Sequence, residues 1–184
     1  MKKLLLTATL CMSSAYVSAA VGDVLGRDLS FYGLGALGHV GLLSSANRVA
    51  QVMKETDYVN VVQNVTVANF RNADTYWGSR ARATFTFASG YSNATAQLTA
   101  LANQQRPHVA YTVLSSTPTP AVQVCSSMNA AGACTAYTWK KGSFRCDAYV
   151  KWLYERTNNG ALGGITPNGT YNSPLLSILW VYFF

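Results

Sequence analysis

The chain has 184 residues, 49% of them apolar, and its 14 basic and 7 acidic side chains leave a net charge of +7. The apolar share excludes a disordered segment, and the length suits one domain with an ordinary core. The basic residues are scattered from Arg27 to Arg156 without a dense run. That argues against a nucleic-acid partner and suits either a solvated surface or contact with an anionic envelope polymer or lipid surface.

Taken in order, Lys2 and Lys3 precede an apolar stretch from Leu4 to Met12, and small residues follow up to Val17-Ser18-Ala19. This is the pattern of a secretory signal peptide over 1–20, leaving one domain over 21–184 that is periplasmic or secreted. The stretch is shorter than the roughly 20 residues of a membrane span, and Leu10 ahead of Cys11 argues against a lipoprotein site. Without Lys2 and Lys3, 12 basic residues face 7 acidic ones, a net +5.

The domain opens with a short strand at Gly22-Asp23-Val24-Leu25, and 29–37 is glycine-rich and irregular. A strand over 38–43, a turn at Ser44-Ser45-Ala46-Asn47 and a returning strand over 48–53 form a hairpin. Residues 59–70 are rich in β-branched side chains and 83–87 alternate, which predicts two more strands. The Ala-, Leu- and Gln-rich segment 93–105 predicts a helix that begins after Ser92 and stops at Pro107. Residues 108–114 read as a strand and 115–142 as a long loop or excursion. From Cys146 the spacing of Tyr149, Val150, Leu153 and Tyr154 predicts a helix ending near Asn158-Asn159-Gly160. The final apolar run 175–184 reads as a buried terminal strand, because an outer-membrane barrel strand would alternate between lipid and lumen.

Once the leader is removed, Cys125, Cys134 and Cys146 remain, an odd number. Cys125 and Cys134 bracket a polar, small-residue segment able to turn back on itself, so they form the natural disulfide, worth roughly 2 to 3 kcal/mol by loop closure. Cys146 is then the thiol left over. Gly33, Gly35 and Gly38 spell G-x-G-x-x-G but run into a strand, where dinucleotide binding requires a helix. The two histidines, His39 and His108, have no zinc-type neighbours, and there is no G-x-S-x-G elbow, so no cofactor or metal is expected.

The chemistry gathers on Cys146. At the first turn of a helix, unsatisfied N–H groups and the dipole lower a thiol pKa, with Arg145 adding positive charge. The same amides could hold the oxyanion of a tetrahedral intermediate. The alternative is a buried structural cysteine. A nucleophile requires a base. His39 lies on the first strand of the hairpin, with Gly41 leaving open space on its face, and Gln51 lies on the returning strand. A carboxamide there would accept Nδ1–H of His39 and leave Nε2 for the thiol; Gln51 reads equally well as an edge or surface glutamine. His108, after Pro107, reads as a surface histidine at a strand start.

The run from Tyr137-Thr138-Trp139 through Ser143-Phe144-Arg145-Cys146-Asp147-Ala148-Tyr149 resembles the nucleophile segment of NlpC-like, papain-like cysteine hydrolases. No histidine follows Cys146, whereas in the permuted branch, with its relatives of lecithin retinol acyltransferase, the histidine strand comes first. Gly38-His39-Val40-Gly41-Leu42-Leu43, then Asn47-Arg48-Val49-Ala50-Gln51, is similar to that segment, and Gly22-Asp23 matches the strand before it. The resemblance covers about a third of the chain. It departs at Asp147, where many relatives carry a small residue, at Gln51, where an acidic residue or histidine is common, and in the long 115–142 segment.

The resemblance implies an α+β, papain-like fold of the permuted NlpC type, an antiparallel sheet packed on a helix with the nucleophilic cysteine at its N-terminus. It implies Cys146 as nucleophile, His39 as base, Gln51 as third polar residue and Tyr137 as a substrate-binding tyrosine. The expected activity is a cysteine hydrolase that cleaves amide bonds of peptidoglycan peptides through an acyl-enzyme. The alternatives are an acyl-lipid hydrolase or acyltransferase on the same scaffold, or a non-catalytic envelope-binding module. The oligomeric state is left open.

Overall fold

The structure, a computed structural model, describes residues 19–29, 38–54, 60–71, 75–82 and 84–178. The leader up to residue 18, Gly33 and Gly35, and the run from 179 onward lie outside the described residues.

Short strands of valine, leucine and glycine build an antiparallel sheet from β1 (Val24–Arg27), β2 (His39–Ser45), β3 (Arg48–Val52), β4 (Val62–Thr66), β5 (Tyr76–Ala81) and β10 (Ser177–Ile178). Their order is β10-β5-β1-β2-β3-β4. The expected hairpin is β2–β3, with Leu42 opposite Ala50 and Leu43 opposite Val49. Among the described residues there are two longer helices, α2 (Ala94–Gln105) and α3 (Cys146–Arg156), and two short helical turns, α1 (Val67–Arg71) and α4 (Pro167–Tyr171). This is a mixed α+β architecture.

The sheet uses its two faces differently. Val40 and Leu42 of β2 and Ala50 and Val52 of β3 pack into one cluster with Tyr149, Val150, Leu153 and Tyr154 of α3. Leu43 and Val49 belong to a second cluster, on the other face, with Leu25 and Phe70. Residues 146–154 of α3 are all buried, Lys151 and Trp152 included. A helix covered all round belongs to a core interior; the expected apolar stripe was only part of its buried surface. The helix ends as expected, with Asn158 in the left-handed region at φ 58°.

The helix expected over 93–105 is α2, capped by Asn93, whose Oδ1 accepts the Ala96 N–H at 2.8 Å. The stretch 59–70 divides: after β4, Thr66 Oγ1 accepts the Asn69 N–H at 3.1 Å and the chain turns into α1. Residues 84–87 are not a strand, because a side chain takes the place of a neighbouring strand. Asn159 Oδ1 accepts the Thr86 N–H at 2.8 Å, and Asn159 Nδ2 donates to Thr86 O at 2.9 Å. The strand expected over 108–114 narrows to β6 (Val109–Tyr111), paired in parallel with β9 (Gly142–Phe144).

The segment 115–142 is an excursion and not a plain loop. It carries β7 (Val122–Met128) and β8 (Cys134–Lys140), a largely exposed two-stranded ribbon closed by the Cys125–Cys134 disulfide, with Cα atoms 5.7 Å apart. Gln105 anchors its base: Nε2 donates to Ala121 O at 3.1 Å, and Oε1 accepts the Ala121 N–H at 2.7 Å.

Gly38 has a structural task. It sits at φ +66°, and a Cβ there would meet the Trp77 ring at 1.8 Å. Only glycine allows Trp77 to lie against the start of β2, where its Nε1 donates to Asp28 Oδ1 at 2.7 Å.

Candidate active site

Cys146 is the first residue of α3 and is 1% exposed. Among the described residues it is the free cysteine. The backbone N–H groups of Val40 and Asp147 lie close enough to its sulfur to favour the thiolate. The N-cap residue Arg145 makes no capping bond with its side chain, so it satisfies none of the first-turn amides of α3. Burial nevertheless dominates: it pushes the Cys146 thiol up to about 12, against the pull of the Val40 amide, with the Asp147 carboxylate adding to the rise. The expected depression by the dipole and Arg145 is overturned, because desolvating a thiolate costs more than a helix end returns.

Arg145 is occupied elsewhere. Its Nε donates to Asp147 Oδ1 at 2.6 Å and its Nη2 to Asp147 Oδ2 at 2.7 Å. The guanidinium also donates to Val113 O at 3.4 Å and to Ile165 O at 2.5 Å. Asp147 is fully buried, with Lys151 Nζ at 3.8 Å, and Lys151 in turn donates to Gly164 O. The acid that follows the cysteine is therefore a structural anchor, tying the 113 and 164–165 segments to the start of α3.

His39 and Gln51 are brought together: His39 Nε2 lies 2.8 Å from Gln51 Oε1, both side chains buried. An amide oxygen only accepts, so Nε2 carries the proton. This reverses the expected roles of the two ring nitrogens. Nδ1 is buried without a hydrogen-bond partner. The space expected above Gly41 is filled, since a Cβ there would meet Val49 Cγ1 at 2.5 Å and Phe70 Cε2 at 3.0 Å. The Phe70 ring lies 5.6 Å from the His39 ring. Arg27, opposite His39 in the β1–β2 register, has its guanidinium 5.3 Å from the same phenyl ring. Burial, opposed by the Gln51 bond and reinforced by the Arg27 charge, lowers His39 to about 4.

The thiol and the imidazole are less closely joined. Alternation along β2 puts His39 with Gly41 on the Phe70 face, whereas α3 packs on the Val40 and Leu42 face. Cys146 lies near the Val40 main chain, and Nδ1 of His39 accepts no bond from it. Burial keeps both the thiol and the imidazole neutral, on opposite faces of β2.

A pocket of about 280 Å³ opens onto Cys146, lined by Leu29, Gly38, Tyr111, Val113, Leu114 and Pro167 together with Arg145. Leu114 is 90% exposed and, with Val113, forms an apolar rim. Tyr137, expected to line the site, stands on β8, 63% exposed and away from these lining residues. The tyrosine beside the thiol is Tyr111, at the end of β6, held protonated near 12 by burial and by its closeness to Cys146. Nothing near Tyr111 in sequence marks it; the parallel pairing of β6 with β9 brings it there. His108 is half-buried and stacks on Trp139 with ring centroids 4.2 Å apart.

The disulfide is compatible with an oxidising, exported location. Among the described residues no helix is long and apolar enough to cross a membrane. No family model, curated protein or solved structure matches the chain.

Proposed function

We propose that the chain is an exported cysteine hydrolase of the circularly permuted NlpC-like, papain-like type, related to the lecithin retinol acyltransferase-like branch. Cys146 is its nucleophile, His39 its base and Gln51 the residue that orients the base. The observation that carries this reading is the 2.8 Å bond between His39 Nε2 and Gln51 Oε1. It occupies one ring nitrogen and leaves Nδ1 as a bare lone pair.

In the proposed reaction a substrate carbonyl enters the pocket and the Cys146 proton passes to His39 Nδ1 as the S–C bond forms. In the resting structure His39 stands on the sheet face away from α3, so the proposal includes a rearrangement of the start of β2 that brings Nδ1 to the Cys146 sulfur. First-turn amides of α3 receive the oxyanion. The imidazolium then protonates the leaving amine, and water, deprotonated by His39, hydrolyses the thioester. Gln51 orients the ring but offers no negative charge to the imidazolium, so the reaction relies on the concerted transfer of a single proton.

The favoured substrate is the peptide amide of peptidoglycan, supported by the basic balance of the chain and the disulfide. A second reading, hydrolysis or transfer of a lipid acyl chain, is favoured by the apolar walls Leu29, Val113, Leu114 and Pro167. Muropeptide and phospholipid turnover measured side by side separates the two. Cys146→Ala is expected to lower the active one by on the order of 10³-fold or more; unchanged turnover rules out the thiol mechanism. Retention on envelope material with neither turnover identifies a binding module instead.

A further inference from the structure

The His39–Gln51 contact does not end at Gln51. Gln51 Nε2 donates to Gln63 Oε1 at 2.9 Å, and Gln63 stands directly opposite Gln51 in the β3–β4 register. The three side chains run across β2, β3 and β4 with every N–H pointing the same way: His39 Nε2–H to Gln51 Oε1, then Gln51 Nε2–H to Gln63 Oε1.

We propose that Gln63 is a positioning residue that sets the His39 tautomer by fixing which end of the Gln51 amide faces the ring. A carboxamide can be turned end for end with almost no change of shape, so packing alone does not choose its direction. If Gln51 were reversed, its NH₂ would meet Nε2, which would then have to be the bare nitrogen. The ring proton would move to Nδ1, where it is buried with no acceptor, and a buried N–H without a partner is the rarer and costlier arrangement. The reversed amide would also set its oxygen against Gln63 Oε1, lone pair to lone pair, unless Gln63 turned with it, and the Nδ1 proton would still have no acceptor. The acceptor on β4 and the acceptorless surroundings of Nδ1 together select the Gln51 direction, and Gln51 selects the nitrogen that is left bare. The catalytic meaning of this relay rests on the proposed role of His39 as base; the tautomer does not.

The test is two-bond ¹H–¹⁵N correlation spectroscopy of the histidine side chains at neutral pH. There are only two histidines, and His108→Gln assigns them. The full-length mature protein is expected to show His39 protonated on Nε2 alone. Gln63→Leu and the shorter Gln63→Asn should give a mixture of both tautomers, and Gln63→Glu, which keeps an acceptor, should restore the single form. A wild-type ring protonated on Nδ1, or an unmixed Nε2–H pattern in both Gln63→Leu and Gln63→Asn, overturns the relay. In a Cys146-dependent turnover assay Gln63→Leu should lower kcat about 10-fold at little-changed KM, the size usual for loss of an orienting contact, with Gln63→Glu recovering it. Unchanged kcat alongside mixed tautomers overturns the positioning role. Absence of turnover in the wild type overturns the hydrolase reading and the catalytic role with it, while the tautomer result is judged separately.

Discussion

Cys146 and Asp147 are neighbours in sequence with opposite demands on their surroundings. The thiol is neutral and tolerates burial; the carboxylate is buried only because Arg145 grips both its oxygens. Removing one partner of such a pair strands the other charge, so Asp147→Ala is expected to destabilise the fold by about 3 kcal/mol, measurable as a shift in the urea midpoint. Loss of under about 1 kcal/mol would mean that the pair behaves as an exposed one. Because burial holds Cys146 near 12, iodoacetamide at neutral pH should modify the folded protein far more slowly than the urea-unfolded chain; equal rates would contradict the buried thiol. His39 and Gln51 were legible as a pair because alternation and a short hairpin bring residues 12 apart onto one face. Which nitrogen meets the amide was not legible, because ring orientation is set by Phe70 and Gln63, which no local spacing connects to His39.

Elements with their own periodicity or caps were readable: the β2–β3 hairpin, α2 with Asn93 ahead of it, and α3 up to its end before Asn158. The β7–β8 ribbon was not, since its serine, alanine and threonine content carries little hydrophobic alternation and its strands pair only with each other. The error over 84–87 is of the opposite kind: Thr84-Phe85-Thr86-Phe87 alternates, yet the buried Asn159 captures the Thr86 backbone first. The disulfide that was readable from spacing belongs to the exposed ribbon and not to the core. A Cys125→Ser, Cys134→Ser double variant should therefore speed amide exchange across 122–140 while exchange in α3 and β2 stays within about threefold, consistent with local opening. Equal acceleration in the core would show that the ribbon unfolds together with the rest.

For the molecule as a unit, two buried groups oppose each other in acid. His39, lowered to about 4 from 6.5, contributes stability that is fully present above pH 6.5 and is lost as pH falls through 4, on the order of 3 kcal/mol. Asp23, raised by burial to about 6 from 3.8 against the pull of the Ala20 N–H, contributes stability that is present below 3.8 and lost as pH rises through 6. Between pH 6.5 and 4 the two trends largely cancel. Asp23→Asn removes one of them, so its denaturation midpoint should fall steeply across that window while the wild type changes little; parallel curves would show that one of these groups is not shifted.

Periodicity, capping residues and cysteine spacing act over a few residues, and they settle the hairpin, two helices, the disulfide and the unpaired thiol without reference to the rest of the chain. Burial, the face of the sheet on which α3 docks, the arrival of Tyr111 beside Cys146 and the Gln63–Gln51–His39 relay depend on contacts between residues far apart in the chain. Such contacts decide whether a thiol is charged and which lone pair is bare, because desolvation and hydrogen-bond direction belong to the assembled surroundings of a group and not to its neighbours in sequence.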